Sequence, residues 1–482
     1  MIRMPERSPL LCKRDIRLFE ILPYAIISFR QIRSRIKTVQ IIMQNTAAGP
    51  HQGRIPEQGG SQTINERLEF MKVTGIIMEC NPFHEGHAYI LREARRLTQA
   101  DYIVVAMSGD FVQRGEPAVF DKYIRADQIL QAGADLVLEI PLYAACGSAE
   151  YFARGGITLF EKLGVVTDLC FGSESGDLDN LLHCAELLTI AEKNDYSDTA
   201  VKYRVKLQEE LKDGKPFPAA REAALQGLFE HDQFQYPSTP NDLLGLEYCR
   251  ALLMSNSPIR PHAISRIDVP SATERRSRLL SDRKELICRE QSILQTNVRQ
   301  VPAIPISPDD FSDQLMYSLK MQESELESFL DVSPDLAIRI RKLLGSYSGF
   351  SAFCSLIKTK NLTRTRVSRS LLHILLQIRQ DRLNALQTAG LILYARPLAL
   401  SREAASLMAS IRQKSSVPFL SKMSEADSLL PPKVFSYLEE ELRAEDLYCL
   451  TLKAAAKNFP AGEELPLPVP GARQRKIPVK GV

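Results

Sequence analysis

Val73-Thr-Gly-Ile-Ile-Met-Glu-Cys-Asn-Pro-Phe-His-Glu-Gly-His87 runs from a short apolar, β-branched segment through a turn into a helical period. The spacing predicts a strand over Val73–Met78, a turn at Asn81-Pro82 and a helix over Ala88–Leu97. The alternation continues with a strand at Tyr102–Met107, a helix at Lys122–Ala132, a strand at Leu136–Ile140 ending on Pro141, a helix near Ala149–Leu163 and a strand at Asp168–Phe171. Short strands separated by helices of roughly ten residues make βαβ crossovers, which build a parallel sheet. The expected fold class is therefore α/β, a doubly wound parallel-sheet domain.

Outward from that core, residues 1–70 read differently. Arg30, Arg33, Arg35 and Lys37 cluster there, and Ala47 to Gln62 is rich in Gly, Gln and Pro with no apolar period. A poorly ordered extension is expected over 1–70, with Met71 as an internal start, and the α/β domain over 71–295. Pro302, Pro305 and Pro308 mark a linker at 296–313. Beyond it, 314–458 has an almost unbroken helical period and is read as an all-helical C-terminal domain, followed by a Pro-rich flexible tail at 459–482.

Composition limits the function classes. The chain has 482 residues, 44% hydrophobic and 25% charged, which excludes wholesale disorder, and 61 Lys and Arg against 58 acids leave bulk charge uninformative about partners. Nine cysteines, odd in number, scattered and without a C-x-x-C pair, indicate neither a disulfide framework nor a structural zinc site, so a reducing cytoplasm is expected. No apolar run approaches the roughly 20 residues needed to cross a bilayer. The nearest, Leu18 to Phe29, carries Glu20 and Pro23, so no membrane partner is expected.

Ligands of open parallel sheets bind where the strands deliver their carboxyl ends, which places a nucleotide at the turn after the first strand. His84 and His87 flank Gly86 there, at a helix N-terminus whose free N–H groups and partial positive charge suit an anion. A lone histidine is ordinarily a satisfied core or surface residue. Two of the chain's seven histidines in this position read as catalytic. A zinc site would need a third ligand, and Cys80 leaves the strand on another side, so no metal ligands are assigned.

The Asn81-Pro-Phe-His-Glu-Gly-His87 pattern resembles the HxGH nucleotidyltransferase superfamily, which attacks the α-phosphate of a nucleoside triphosphate and expels pyrophosphate. More narrowly, Met107-Ser-Gly-Asp-Phe-Val-Gln-Arg-Gly-Glu-Pro-Ala118, Phe152-Ala-Arg-Gly155, Phe171-Gly-Ser-Glu174, Pro240-Asn-Asp-Leu-Leu-Gly245 and Lys358-Thr-Lys-Asn-Leu-Thr-Arg-Thr-Arg366 are similar to the bacterial tRNA(Met) cytidine acetate ligase family over roughly 71 to 455. The resemblance implies an ATP-dependent ligase that forms acetyl-adenylate from acetate and passes the acetyl group to N4 of the wobble cytidine of elongator tRNA(Met), giving N4-acetylcytidine. Mg2+ is expected to arrive on the nucleotide.

By the same resemblance, the run Ile77, Met78, Glu79, Cys80, Asn81, Pro82, Phe83, His84, Glu85, Gly86, His87, Ala88, Tyr89 and Ile90 wraps ATP, and Gly172, Asn241, Arg266 and Ile267 complete the nucleotide site. Ser271, Thr273 and Arg276 at a late helix start are candidate phosphate contacts, with an N-cap and a solvated helix face as the plainer reading. Asp110 and Arg114 are a candidate substrate loop, while Glu116 and Asp121 read as a cap and a solvated acid. The chain departs from the family pattern in two places: only Ile267-Asp-Val-Pro270 separates Arg266 from Ser271, where a longer loop is usual, and Arg275 stands where an apolar residue is usual.

Lys358, Lys360, Arg364, Arg366, Arg369, Arg379 and Arg382 share a 25-residue stretch with one acid, Asp381. A helix from Arg366 would bury Val367, Leu371, Ile374 and Ile378 and turn Arg366, Arg369 and His373 outward as a cationic face. Such faces are usually interspersed with acids; their near absence favours phosphate, with tRNA contacts expected at Lys358, Lys360, Arg364, Arg366 and Arg369. Two alternatives stand beside the ligase: a nucleotidyltransferase making a dinucleotide or an activated alcohol, and a non-catalytic RNA-binding protein with a relic nucleotide fold.

Overall fold

β1 (Val73–Met78) is buried along its whole length, as a near-continuous apolar strand in the middle of a parallel sheet must be. It pairs in parallel with β2 (Tyr102–Ser108) on one side and β6 (Asp168–Ser173) on the other. The computed structural model describes residues 71–193, 195–215, 217–229, 234–283 and 304–457, with the backbone of 479 and 480. The expected extension at 1–70 and most of the linker and tail lie outside the described residues.

The main sheet runs β7-β6-β1-β2-β5-β8-β9, with β5 at Leu136–Ile140, β7 at Arg260–Ser265, β8 at Arg396–Ser401 and β9 at Val479–Lys480. A small antiparallel hairpin, β3 (Phe111–Val112) and β4 (Glu116–Pro117), stands apart from it. Helices α1 (Glu85–Thr98), α2 (Lys122–Gln131), α3 (Ala149–Leu163), α4 (Leu178–Ala191), α5 (Pro240–Ser255) and α6 (Ala272–Ser281) belong to the first half; α7 (Arg364–Leu376) and α8 (Pro432–Lys457) belong to the second.

The doubly wound reading holds. Ile76, Ile103, Val105 and Val137 point from the sheet to Leu91 and Ala94 of α1 and to Ala126 and Ile129 of α2. Val73, Ile77, Val104 and Leu136 belong to the opposite core, with Phe152 and Phe160 of α3. Each such fully buried aliphatic or aromatic side chain contributes about 1.5–3 kcal/mol over an exposed one. Chain order reverses at β1, whose neighbours are β2 and β6, so the ligand crevice falls at their carboxyl ends.

The second half is mainly helical but also contributes to the sheet. β8 pairs antiparallel with β5, and β9, from the stretch read as a flexible tail, pairs in parallel with β8. The opposite-face core of β1 continues through Phe311, Phe353, Leu371 and Tyr448, so both halves share it. Of the expected linker, the described part is anchored: Ile304, Ile306 and Phe311 are buried.

A buried ionic bolt joins the halves. Lys122 Nζ lies 2.7 Å from Glu139, 3.0 Å from Glu445 of α8 and 3.9 Å from Asp110, while Arg396 of β8 lies 3.0 Å from Glu139 and 2.8 Å from Glu445. Burial holds the Asp110 carboxyl above the usual carboxylate range, against the pull of Lys122.

Candidate functional site

After β1 the chain turns through Cys80, at φ 50°, and a cis Asn81–Pro82 bond into α1. Arg125 of α2, fully buried, fixes this corner. It donates to the carbonyl oxygens of Glu79 at 2.8 Å and Ser108 at 3.2 Å, and to that of Gly109, tying the ends of β1 and β2 together. His84 is the N-cap of α1: Gly86 N donates to its Nδ1 at 3.1 Å, and His84 N donates to His87 Nδ1 at 3.2 Å, closing a reciprocal capping box. The two ring centroids are 3.9 Å apart, and Phe83 stacks on His87 at 5.6 Å. A Cβ on Gly86 would sit 2.9 Å from His84 Cε1, so only glycine lets that ring close over the helix start.

This geometry sets the chemistry of the pair. Each Nδ1 accepts a backbone hydrogen, so a neutral ring carries its proton on Nε2 and presents one donor. Burial first, then Arg275, depresses His84 to about 4. Burial, His84, Arg266 and Arg275 hold His87 well below its ordinary value. The histidines are therefore neutral donors at pH 7, and the positive charge comes from Arg266 and Arg275. Arg275, the unusual residue of the sequence, ion-pairs Glu85 at 2.5 Å beside the pair.

The other expected nucleotide residues assemble around Glu174, which sequence reasoning quoted in a motif but assigned no role. Its carboxylate accepts from Asn241 Nδ2 at 2.6 Å, Asn241 N at 3.1 Å, Thr239 Oγ1 at 3.0 Å and Arg266 Nη1 at 3.3 Å. A carboxylate from the chain thus sits at the N-terminus of α5, where an external anion would otherwise be favoured. The space over Gly172 is filled by Ile90, whose Cδ1 would lie 2.9 Å from an added Cβ. Within the run 77–90, the side chains of Ile77, Met78 and Cys80 are core.

At the start of α6 the plainer reading describes the hydroxyls. Ser271 Oγ accepts from Glu274 N at 3.2 Å while Glu274 bonds back to Ser271 N at 2.7 Å, and Thr273 Oγ1 accepts from Arg276 at 3.3 Å. Arg276 reaches the loop instead, donating to Asn81 O at 2.8 Å and lying 3.6 Å from Glu116. Asp121, read as solvated, is the buried N-cap of α2, and Glu116, read as a cap, is the partner of Arg276. Asp110 faces the ionic bolt and accepts from Lys122 N at 2.9 Å, so the structure separates it from Arg114, whose Nε is 3.9 Å from Glu79. Among the described residues no group of His, Cys, Asp and Glu is arranged to hold a metal.

In the second half, Lys358, Lys360, Arg364 and Arg366 are exposed at and before α7 and have no acidic partner within ion-pair distance among the described residues. Arg369, Arg379 and Arg382 pair with Asp331, Glu325 and Glu440. His373 corrects the expected cationic face: it is fully buried, with ring nitrogens 2.8 Å from the carbonyl oxygens of Leu330 and Cys146. From Ser370 to Leu375 every residue of α7 is buried, and Leu330 and Cys146 supply polar partners for His373 that periodicity does not reveal.

The depressed histidines have a measurable consequence. An unfolded histidine titrates near about 6.5, so between that value and about 4 the unfolded chain binds the proton that folded His84 does not. Their contribution to stability is complete above the unfolded value and is lost as pH falls through this window, His373 acting in the same direction. Thermal melts should show the midpoint falling from pH 6.5 to 5, with a shallower fall in the His84→Asn/His87→Gln chain; equal slopes would contradict the burial of the pair.

Comparison with known proteins places the chain in a family. The HIGH Nucleotidyl Transferase family model matches residues 71–462. The chain is 34% identical over 408 residues to the tRNA(Met) cytidine acetate ligase of Acetivibrio thermocellus, covering 80% of this chain and 96% of that one. It is 33% identical to the enzyme of the same name from Alkaliphilus metalliredigens, covering 82% and 97%. The crystal structure of Thermotoga maritima TmcAL bound with alpha-thio ATP superposes with a TM-score of 0.73 at 28% identity, covering 85% of this chain and 99% of that one. A parallel sheet with a capped histidine pair at its switch point defines an HxGH-type nucleotidyl-transferring enzyme. Within that class, the chain belongs to the tRNA(Met) cytidine acetate ligase family.

Proposed function

We propose that the chain activates acetate with ATP as acetyl-adenylate and transfers the acetyl group to N4 of the wobble cytidine of elongator tRNA(Met). The observation that carries this reading is the His84–Gly86–His87 cradle, with two neutral Nε2–H donors and a helix N-terminus inside the field of Arg266 and Arg275. The named relatives and the nucleotide-bound structural neighbour support it.

Acetate is an anion at pH 7, so activation needs no general base. It needs donors and positive charge on the α-phosphate and on the departing pyrophosphate as the transition state forms. Imidazole N–H groups, backbone N–H groups and guanidiniums bind phosphate oxygens rather than a divalent cation, so magnesium would be carried by the nucleotide. In this reading residues 71–295 activate acetate, and 314–458 hold RNA through Lys358, Lys360, Arg364 and Arg366, with Arg369 reached only if its pairing with Asp331 opens.

Acetate-dependent exchange of pyrophosphate into ATP tests the first step. A transferase making a dinucleotide or an activated alcohol would exchange only with another acceptor in place of acetate, and a relic fold would not exchange at all. For the second step, Arg366→Ala should leave exchange intact, weaken acetyl transfer to RNA, and reduce the slope of log affinity against log salt by about 1; an unchanged slope would remove Arg366 from the RNA surface.

A further inference from the structure

The segment between β7 and α6 lies against the histidine cradle. A Cβ on Gly86 would sit 3.3 Å from Val269 Cγ2, so the strap Ile267-Asp-Val-Pro270 passes beside the start of α1. One side chain of α6 ties the two together: Arg275 donates from Nε to Pro270 O at 3.2 Å and from Nη2 to Glu85 Oε2 at 2.5 Å. Its Nη1 meets no acceptor at hydrogen-bond distance among the described residues. Arg276, the next residue, faces Asn81 O and Glu116 instead, and Arg266 is engaged by Glu174. Arg275 is therefore the cation of α6 whose only acidic partner stands at the cradle, and its charge acts on both histidines.

Glu85 is the first residue of α1, so its carboxylate stands at the positive end of that helix, against a guanidinium. A carboxylate so placed takes the position and the partners that suit a phosphate oxygen. The Glu85 side chain is 66% exposed and that of Arg275 26%, which puts the pair at the solvent rim of the cradle. An ion pair this exposed is weak. A phosphate chain brings more charge than a carboxylate and fills two nitrogens of the guanidinium fork at once, so it competes well for Arg275, and the displaced carboxylate returns to water at little cost.

The reaction divides the triphosphate between these groups. The α-phosphate stays with the adenylate and belongs at the two Nε2–H donors, which leaves the rim to the pyrophosphate, the part that carries most of the charge and departs to solvent. We propose that Arg275 is the contact for the departing pyrophosphate, exchanging Glu85 for the β- and γ-phosphates when ATP enters; this rests on the ligase reading above. In the activation step an acetate oxygen attacks the α-phosphorus, the bond from that phosphorus to the bridging oxygen breaks, and its electron pair leaves on pyrophosphate, whose charge the guanidinium stabilises.

The test uses the full chain, with ATP and AMP affinities from equilibrium titration and the pyrophosphate KM from acetate-dependent exchange. Arg275→Gln should weaken ATP and raise the pyrophosphate KM by roughly tenfold each while AMP affinity falls by no more than about twofold, and Arg275→Lys should restore part of the loss. Glu85→Gln should bind ATP tighter, by about threefold, because it removes the competitor for Arg275. A pair that merely braced the strap would weaken ATP when broken from either side. AMP affinity falling as far as ATP affinity in Arg275→Gln, or ATP bound no tighter by Glu85→Gln than by the parent, would overturn the assignment. Absence of acetate-dependent exchange in the parent chain would instead sink the ligase reading, and the comparison of ATP with AMP would still decide the role of Arg275.

Discussion

Acetate-dependent pyrophosphate exchange is expected to drop by roughly 10²–10³-fold in His84→Ala, the usual loss when one preorganised donor to a developing anion is removed. The substitution removes the Nε2–H donor and also the Nδ1 acceptor that caps Gly86 N. Loss of a cap costs about 1 kcal/mol of stability, far too little to unfold a chain with so extensive a core. His84→Asn separates the effects, since asparagine still caps but does not reach as far. It should melt close to the parent and remain defective in exchange. Exchange at the parent rate in His84→Ala, measured with radiolabelled pyrophosphate, would remove the histidine from phosphate binding.

The second large effect is on stability. Lys122→Met removes the cation shared by Glu139, Glu445 and Asp110, while Arg396 still pairs with Glu139 and Glu445. A buried charge stripped of its partner costs about 3–5 kcal/mol, which lowers the melting midpoint on the order of 5–10 °C. The groups span the loop after β2, α2, β5, β8 and α8, so both halves should lose structure in one transition. A midpoint within a degree of the parent, read by far-UV circular dichroism, would show that the bolt contributes little.

The fold was legible where burial on both faces forces an apolar strand between turn signals, as in β1, β2 and β5. β8 was not legible: Arg396-Pro-Leu-Ala-Leu-Ser401 has an arginine and a proline at its start and helix-favouring residues within, and only pairing with β5 makes it a strand. The histidine cradle could be placed from spacing alone, but its charge state could not, because it depends on backbone hydrogens at both Nδ1 atoms and on the nearness of Arg275, nearly two hundred residues away in sequence. Glu174 and Arg125 were missed because their roles arise from helix ends and strand ends meeting in space. His373 was misplaced for the converse reason: helical periodicity cannot distinguish an outward histidine from one bridging two buried carbonyls.

The most direct measurement is mass spectrometry of nucleosides from tRNA(Met) incubated with the chain, ATP and isotopically labelled acetate. The expected result is labelled N4-acetylcytidine at the wobble position, dependent on ATP and absent with His84→Ala. Unmodified RNA beside active acetate-dependent exchange, or label incorporated without ATP, would contradict it.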